Sequence, residues 1–294
     1  MSGRWCVAAA IVLTIALPSC GSAQPDQSAS TTPRAAAAPR TTIATVPAAA
    51  VATVPAARVD PPLTTCQQIA TTVAATRPTQ QVLIVRTGNW TDTTAVATLA
   101  TLTNGTWQCG AEMVARVGRT GVRPLLDRRS GDGTTPAGIF PLATMTAHDG
   151  QPFSFFGNSA DPGVTAGPYR AVVRGDCFGA TPNTPGYGHL RKQVDCPGPD
   201  DEYLPNIGAY AHAALIGANM EPNVSGDAVG ETPYASAIFL HRHAWASGST
   251  TISKPTSGCV SLSLADLQAT LLQMRSDVQF AIGPTDWLLG GAAG

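Results

Sequence analysis

The chain reads as a mainly β domain with one or two packing helices and long Gly/Pro-rich loops. Three observations predict it. Short β-branched and apolar runs recur from Gln81 onward, an Asn104-Gly105 dipeptide marks a hairpin, and helical periodicity is confined to two windows. In order, a helix over about Thr65 to Ala75 precedes the strand Gln81 to Thr87 (QVLIVRT). Thr94 to Leu102 and Thr106 to Cys109 flank the Asn-Gly turn, and Glu112 to Val117 alternates. Gly138 to Leu142, Tyr169 to Val173, Ser236 to His241 and Val278 to Ile282 complete the readable strands. The clearest helix starts at Ser263, where Asp266 makes an acid-type capping box and Leu264, Leu267, Leu271, Leu272 and Met274 form an apolar stripe. Phe156 to Gly167 and Gly175 to Pro205 read as loops.

Composition bounds the function. With 44% hydrophobic and 13% charged residues the chain is too apolar to be disordered throughout. A net charge of -1 leaves no basic field, so nucleic acid is excluded as the main partner. Residues 1–23 read as an export signal: Arg4 supplies the positive start, Val7 to Leu17 the apolar run, and small residues follow at Ser19, Gly21, Ser22 and Ala23. The run is too short to span a bilayer. Its end, Leu17-Pro18-Ser19-Cys20, resembles a bacterial lipobox, which implies a lipid anchor to the membrane at Cys20. Cleavage after Ala23 is the alternative and would release a soluble form.

Residues 24–62 are almost entirely Ala, Thr, Pro and Ser, with Ala44-Thr45-Val46-Pro47-Ala48-Ala49 repeated from Ala52 to Ala57. Such a segment cannot bury enough surface to offset its ordering entropy. As a Pro-rich linker at ~3.1 Å per residue it could reach on the order of 100 Å, toward a cell-wall polymer. The folding region is therefore 63–294.

Five cysteines remain after the signal and Cys20: Cys66, Cys109, Cys177, Cys196 and Cys259, an odd number in an oxidising compartment. Cys177 and Cys196 share one polar loop, and a bridge there would stabilise by ~3 kcal/mol on the chain-entropy model. Cys66 and Cys109 could then join the first helix to the hairpin, although spacing alone allows three connectivities. By subtraction Cys259 is free.

Cys259 lies in Pro255-Thr256-Ser257-Gly258-Cys259-Val260-Ser261-Leu262, just before the capped helix, and His241 ends a strand upstream. An exposed thiol acts as a nucleophile when a base or a dipole favours the thiolate. Gly258 would allow a tight turn that aims backbone N–H groups at an oxyanion. Together these residues make a thiol acyl-transfer site, against the plainer alternative of a buried structural cysteine.

Ile238-Phe239-Leu240-His241 followed by Thr256-Ser257-Gly258-Cys259-Val260-Ser261-Leu262 resembles the H…[ST]-x-G-C signature of the L,D-transpeptidase (YkuD-type) catalytic domain. Gly131-Asp132-Gly133-Thr134-Thr135-Pro136-Ala137-Gly138-Ile139-Phe140 resembles the family's G-D-x-x-T-P-x-G-x-F block. Ser257 stands where many members carry histidine. The resemblance implies a β-sandwich capped by a helix, Cys259 as nucleophile, His241 as general base and later acid, and the Gly258 and Cys259 amides as oxyanion donors, with Ser257 beside them. It also implies that the Arg242 backbone carbonyl orients the histidine. The implied reaction is peptidoglycan stem-peptide acyl transfer: an amine acceptor gives a 3→3 cross-link, water gives L,D-carboxypeptidase activity, and carbapenems acylate the cysteine. No cofactor is implied. A binding module that lost catalysis is the alternative from another class.

Other residues receive plainer readings. His243 and Asp132 are placed at the cleft, and a zinc set of His241, His243 and Cys259 is weighed against this. No metal is expected. Asp200-Asp201-Glu202 reads as a solvated acidic loop, and His148, His189 and His212 as structural histidines.

Overall fold

The computed structural model describes residues 62–193, 195–220 and 232–290. No helix among them is long and apolar enough to cross a membrane. The expected export signal, the lipidation position Cys20 and the linker up to residue 61 lie outside the described residues.

The elements begin with α1 (Thr65–Thr76), β1 (Gln81–Thr87), β2 (Thr94–Thr103), β3 (Thr106–Cys109), β4 (Met113–Arg116), β5 (Val122–Pro124) and β6 (Thr135–Pro141). Short strands follow: β7 (Met145–Thr146), β8 (Pro152–Phe153), β9 (Phe155–Gly157), β10 (Tyr169–Ala171), β11 (Asp176–Phe178), β12 (Leu190–Lys192), β13 (Glu202–Tyr203) and β14 (Ala213–Leu215). The chain ends with β15 (Phe239–Arg242), β16 (Val260–Leu262), α2 (Leu264–Gln273), β17 (Gln279–Pro284) and α3 (Thr285–Leu289).

The architecture is mainly β. A mixed sheet of 12 strands runs β10-β9-β14-β15-β16-β4-β2-β1-β17-β6-β5, with β3 paired to β2. Past the end of β6, Leu142 bridges to Ile216 beyond β14, which draws the two flanks of the sheet together. Leu83, Val85, Phe140 and Phe280 from one flank and Phe155, Leu240 and Val260 from the other therefore share one core, joined by Leu267 and Leu271 of α2. The apolar stripe from Ser263 is thus the face that α2 buries. Ser263 caps it by accepting from the Asp266 N–H at 3.1 Å.

The continuous apolar run of β1 follows from burial on both faces. Leu83 and Val85 enter the central core, while Val82 and Ile84 meet Ile69 and Val73 of α1 and Leu288 of α3. α1 starts with a capping box between Thr64 and Gln67, and the Cys66–Cys109 disulfide ties it to β3. The Asn104-Gly105 turn has both residues at positive φ, 51° and 77°, the type I′ requirement.

Four expectations change. Among the described residues a third helix, α3, joins the one or two expected; it has five residues and no side-chain cap, so it carries no sequence signal. The stretch read as a loop from Gly175 to Pro205 holds a separate sheet, β12-β11-β13, stapled by the Cys177–Cys196 disulfide. The loop read from Phe156 opens inside β9. The strand expected from Ser236 begins at Phe239, because Ala237 sits at φ 55° and breaks the extended backbone.

Candidate active site

Parallel pairing of β15 with β16 sets the geometry: Leu240 opposes Val260, His241 opposes Ser261 and Arg242 opposes Leu262. Strand alternation sends Leu240, Val260 and Leu262 into the central core. Phe239 and Cys259 join a second cluster on the other face with Phe156, Phe178 and Tyr210. His241 shares that face, so the imidazole stands one diagonal step from the thiol.

The turn before β16 is fixed by hydrogen bonds. Thr256 Oγ1 donates to the Cys259 carbonyl at 2.6 Å, and Thr135 Oγ1 from the Thr-Pro block donates to the same oxygen at 3.1 Å. Thr135 also accepts from the Gly118 N–H. This joins the two sequence motifs physically. Gly258 has φ 156°, and a Cβ there would lie 3.1 Å from the Thr134 carbonyl oxygen and 3.4 Å from Arg128 Nη2, so only glycine fits. Its N–H donates to Thr256 Oγ1 at 3.2 Å, a local turn bond that occupies the amide expected to serve the oxyanion. Ser257 is exposed on the same turn.

Cys259 is free and buried rather than exposed; it is 8% accessible and packs in the cluster of Phe178 and Phe239. Sγ donates to the Ala237 carbonyl at 3.2 Å and accepts from the Phe239 N–H at 3.4 Å. The left-handed turn at Ala237 precedes the strand and leaves that carbonyl facing the thiol. Burial, reinforced by Glu202, pushes the thiol up to about 12, against the Phe239 N–H, Arg128 and Tyr210, which favour the thiolate. His241 Nδ1 lies 2.6 Å from the Arg242 carbonyl oxygen, so Nδ1–H donates and Nε2 is left as the basic nitrogen. Burial pushes the imidazole down to about 4. Thiol and imidazole are both neutral near pH 7.

Three residues that the motifs do not mark surround this pair. Tyr210 lies edge-on to Phe156, Phe239 and His241, and its hydroxyl donates to Glu202 Oε2 at 2.5 Å. Burial pushes Glu202 up to about 7. Arg128 is 2% accessible; Nη1 donates to the Tyr234 carbonyl at 2.9 Å and Nε to Thr134 Oγ1 at 3.3 Å. Desolvation lowers its pKa while Asp132, Tyr187 and Cys259 favour its charge.

Several expected roles move. Asp132 accepts from the Arg129 and Thr134 amides and the Thr134 hydroxyl, and lies 3.7 Å from Arg128 Nη2. Burial acts to raise its pKa, but these hydrogen bonds and Arg128 outweigh that and hold it below the usual carboxylate range. His243 is buried rather than at a cleft edge, with Nδ1 2.9 Å from Ser261 Oγ and its ring edge-on to Trp245. Among the described residues the one converging set of metal-type donor atoms is Cys177, Cys196 and Asp201, whose cysteines are joined to each other; His241, His243 and Cys259 do not form such a set.

Of the acidic loop, Asp200 stays exposed while Asp201 and Glu202 turn inward. Asp201 pairs with Arg191 at 2.9 Å and accepts from the Ala180, Thr181 and Gly198 amides, and Glu202 reaches Tyr210. His148 binds Asp176 at 2.9 Å, and His212 lies between Tyr169 and Gln268, so both are structural. His189 instead lines a cavity of about 230 Å³ with Phe178, Tyr187, Asn219, Ser236 and Ala237. Ala237, whose carbonyl accepts from Cys259 Sγ, is part of that lining.

No protein-family model, curated protein or solved structure matches the chain. The functional reading therefore rests on its own residues.

Proposed function

We propose that the protein is a cysteine acyltransferase of the L,D-transpeptidase type, acting on peptidoglycan stem peptides. One observation carries the reading: among the described residues four cysteines pair into two disulfides, and the free thiol of Cys259 shares a sheet face with a histidine whose tautomer leaves Nε2 basic. Cys259 attacks the L,D peptide bond of a donor stem, the terminal D-alanine leaves, and His241 accepts a proton at Nε2 during the cycle. Resolution by a stem-peptide amine forms a 3→3 cross-link; water completes a carboxypeptidase turnover. The disulfides suit an oxidising compartment, and a lipid anchor at Cys20 would hold the enzyme at the membrane facing the wall.

A second reading, a peptidoglycan-binding module without catalysis, is favoured by the buried thiol at about 12 and its bond to Ala237. Intact mass after exposure to a carbapenem separates the two. One drug mass on the wild type, absent from Cys259→Ala, supports acyl transfer; an unmodified wild type supports the binding module.

A further inference from the structure

Three stretches of chain make the setting of Cys259: Thr134-Thr135 at the entry to β6, the approach to β15 from Pro233 to Ala237, and the turn at Gly258. Arg128 meets all three. Its Nε donates to Thr134 Oγ1 at 3.3 Å and its Nη1 to the Tyr234 carbonyl at 2.9 Å. Its Nη2 lies 3.4 Å from where a Cβ on Gly258 would sit. The next two residues strengthen the second tie. The Arg129 guanidinium stands 4.6 Å over the Tyr234 ring, and the Ser130 N–H donates to the Pro233 carbonyl at 2.7 Å.

Nη2 is what these ties leave over. Among the described residues it donates no hydrogen bond, and the one carboxylate oxygen within ion-pair reach, Asp132 Oδ1, is 3.7 Å away. Asp132 is also engaged by the Arg129 and Thr134 amides and the Thr134 hydroxyl, and is shared with Arg123 at 3.6 Å. A guanidinium only 2% accessible is thus incompletely neutralised, and such a charge is costly to keep out of water unless negative charge arrives beside it. The side of Gly258 that faces Nη2 is the side on which any other residue would place its Cβ, so glycine keeps the turn open to the cation.

We propose that Arg128 is the positioning residue of the Cys259 turn, held where its positive charge meets the negative charge that acyl transfer places there. The inference rests on Cys259 being the acyl-transfer nucleophile and deepens that reading. When the thiolate adds to the donor carbonyl, the S–C bond forms, the C–O π pair moves onto the oxygen, and the negative charge moves with it. Arg128 keeps all its protons throughout and acts by its field alone. The Gly258 N–H is taken by Thr256 Oγ1, so a fixed charge behind the turn supplies stabilisation that this amide does not. Burial opposes charge on Arg128 and on Cys259, and each favours it on the other. The other titratable groups facing the thiol are Glu202, Tyr210 and His241, none of which is positive near pH 7.

The test compares two reagents of similar size and different charge. Iodoacetate and iodoacetamide alkylate Cys259 of the full chain near pH 8, and the ratio of their rates is read for wild type, Arg128→Met and Arg128→Lys. Altered access changes both rates alike, so a merely structural role leaves the ratio unmoved. The ratio falls about fivefold in Arg128→Met and stays near the wild-type value in Arg128→Lys. An unchanged ratio in Arg128→Met, or an equal fall in both variants, overturns the proposal. Should Arg128→Met fail to fold, Glu202→Gln decides. With that carboxylate gone, a ratio above that of N-acetylcysteinamide supports the charge, and one at or below it overturns the proposal. Failure of the acyl-transfer reading is distinguishable: a carbapenem then leaves no adduct on wild type, while the ratio still falls in Arg128→Met.

Discussion

The outer faces of one sheet differ in kind. Under α1 and α3 the buried residues are Ile69, Val73, Val82, Ile84, Trp107, Ile139, Ala281 and Leu288 with two further alanines, and none of them titrates. On the face bearing Cys259 the core is aromatic and encloses Tyr210, with His241 and Glu202 against it. The first face is ordinary packing, where burial of apolar area stabilises without electrostatic cost. The second tolerates a half-buried acid beside a buried phenol, imidazole and thiol, each shifted away from its ordinary range by desolvation. Such clustering on one face is what the proposed acyl-transfer site requires.

The largest expected contrast sets Cys259→Ala against Ile84→Ala. Cys259→Ala abolishes the carbapenem adduct and leaves the fold close to wild type in stability. Ile84→Ala opens a cavity under α1, costs about 2–5 kcal/mol of unfolding free energy and keeps the adduct. Mass spectrometry and denaturant titration on both variants check this, and a carbapenem adduct on Cys259→Ala would break the assignment of the reactive face.

The two disulfides come next. Their loops span 43 and 19 residues, so the chain-entropy model gives about 4 kcal/mol for Cys66–Cys109 and about 3 kcal/mol for Cys177–Cys196. Removing the first pair by serine substitution costs more stability. Removing the second changes reactivity: Phe178 follows Cys177 and stacks edge-on at 5.2 Å against Phe239, so loosening it uncovers the sulfur. Alkylation of Cys259 accelerates in Cys177→Ser/Cys196→Ser and not in Cys66→Ser/Cys109→Ser. Equal rates in the two would show that the small sheet does not shield the thiol.

What could be read from sequence follows the same divide. QVLIVRT, the Asn-Gly turn and the Ser263 cap are local signals, and the structure places β1, the β2–β3 turn and α2 there. Strands of two or three residues such as β7, β8 and β11 leave no period to detect. Cys259 and His241 are legible because each sits in a recognisable word. Tyr210 lies in an alanine-rich stretch, Glu202 looks like one more residue of an acidic run, and Arg128 stands outside the Gly-Asp block. Their roles come only from tertiary contacts to Cys259 and its turn. The left-handed Ala237 is invisible for a related reason, since alanine carries no preference for that conformation.

Glu202→Gln sharpens the contrast through pH. A carboxyl raised from 4.5 to about 7 contributes stability present below 4.5 and lost as pH rises through about 7. His241, lowered from 6.5 to about 4, contributes stability present above 6.5 and lost as pH falls through about 4. Wild type is therefore most stable in mildly acidic to neutral solution. Glu202→Gln keeps an acceptor for the Tyr210 hydroxyl and removes the alkaline loss, so it unfolds about 1–3 kcal/mol less readily near pH 8 and about equally near pH 4. Thermal melts at both pH values check it; a variant no more stable at pH 8 would mean that Glu202 is not held in a charge-hostile site.

The smallest effect belongs to the hairpin on the unreactive side. Gly105 sits at φ 77° with open space where a Cβ would be, so Gly105→Ala meets no clash and its cost is conformational alone. Holding alanine at positive φ costs about 1 kcal/mol. The neighbouring β3 carries Cys109 and so anchors α1, which makes a small loss there propagate to the helix that covers Val82 and Ile84. Denaturant midpoint should fall while the slope, the carbapenem adduct and the alkylation rate of Cys259 stay at wild-type values. A change in thiol reactivity from this distant turn would show that the two faces are energetically coupled through the sheet, and the division between a packing face and a chemical face would fail.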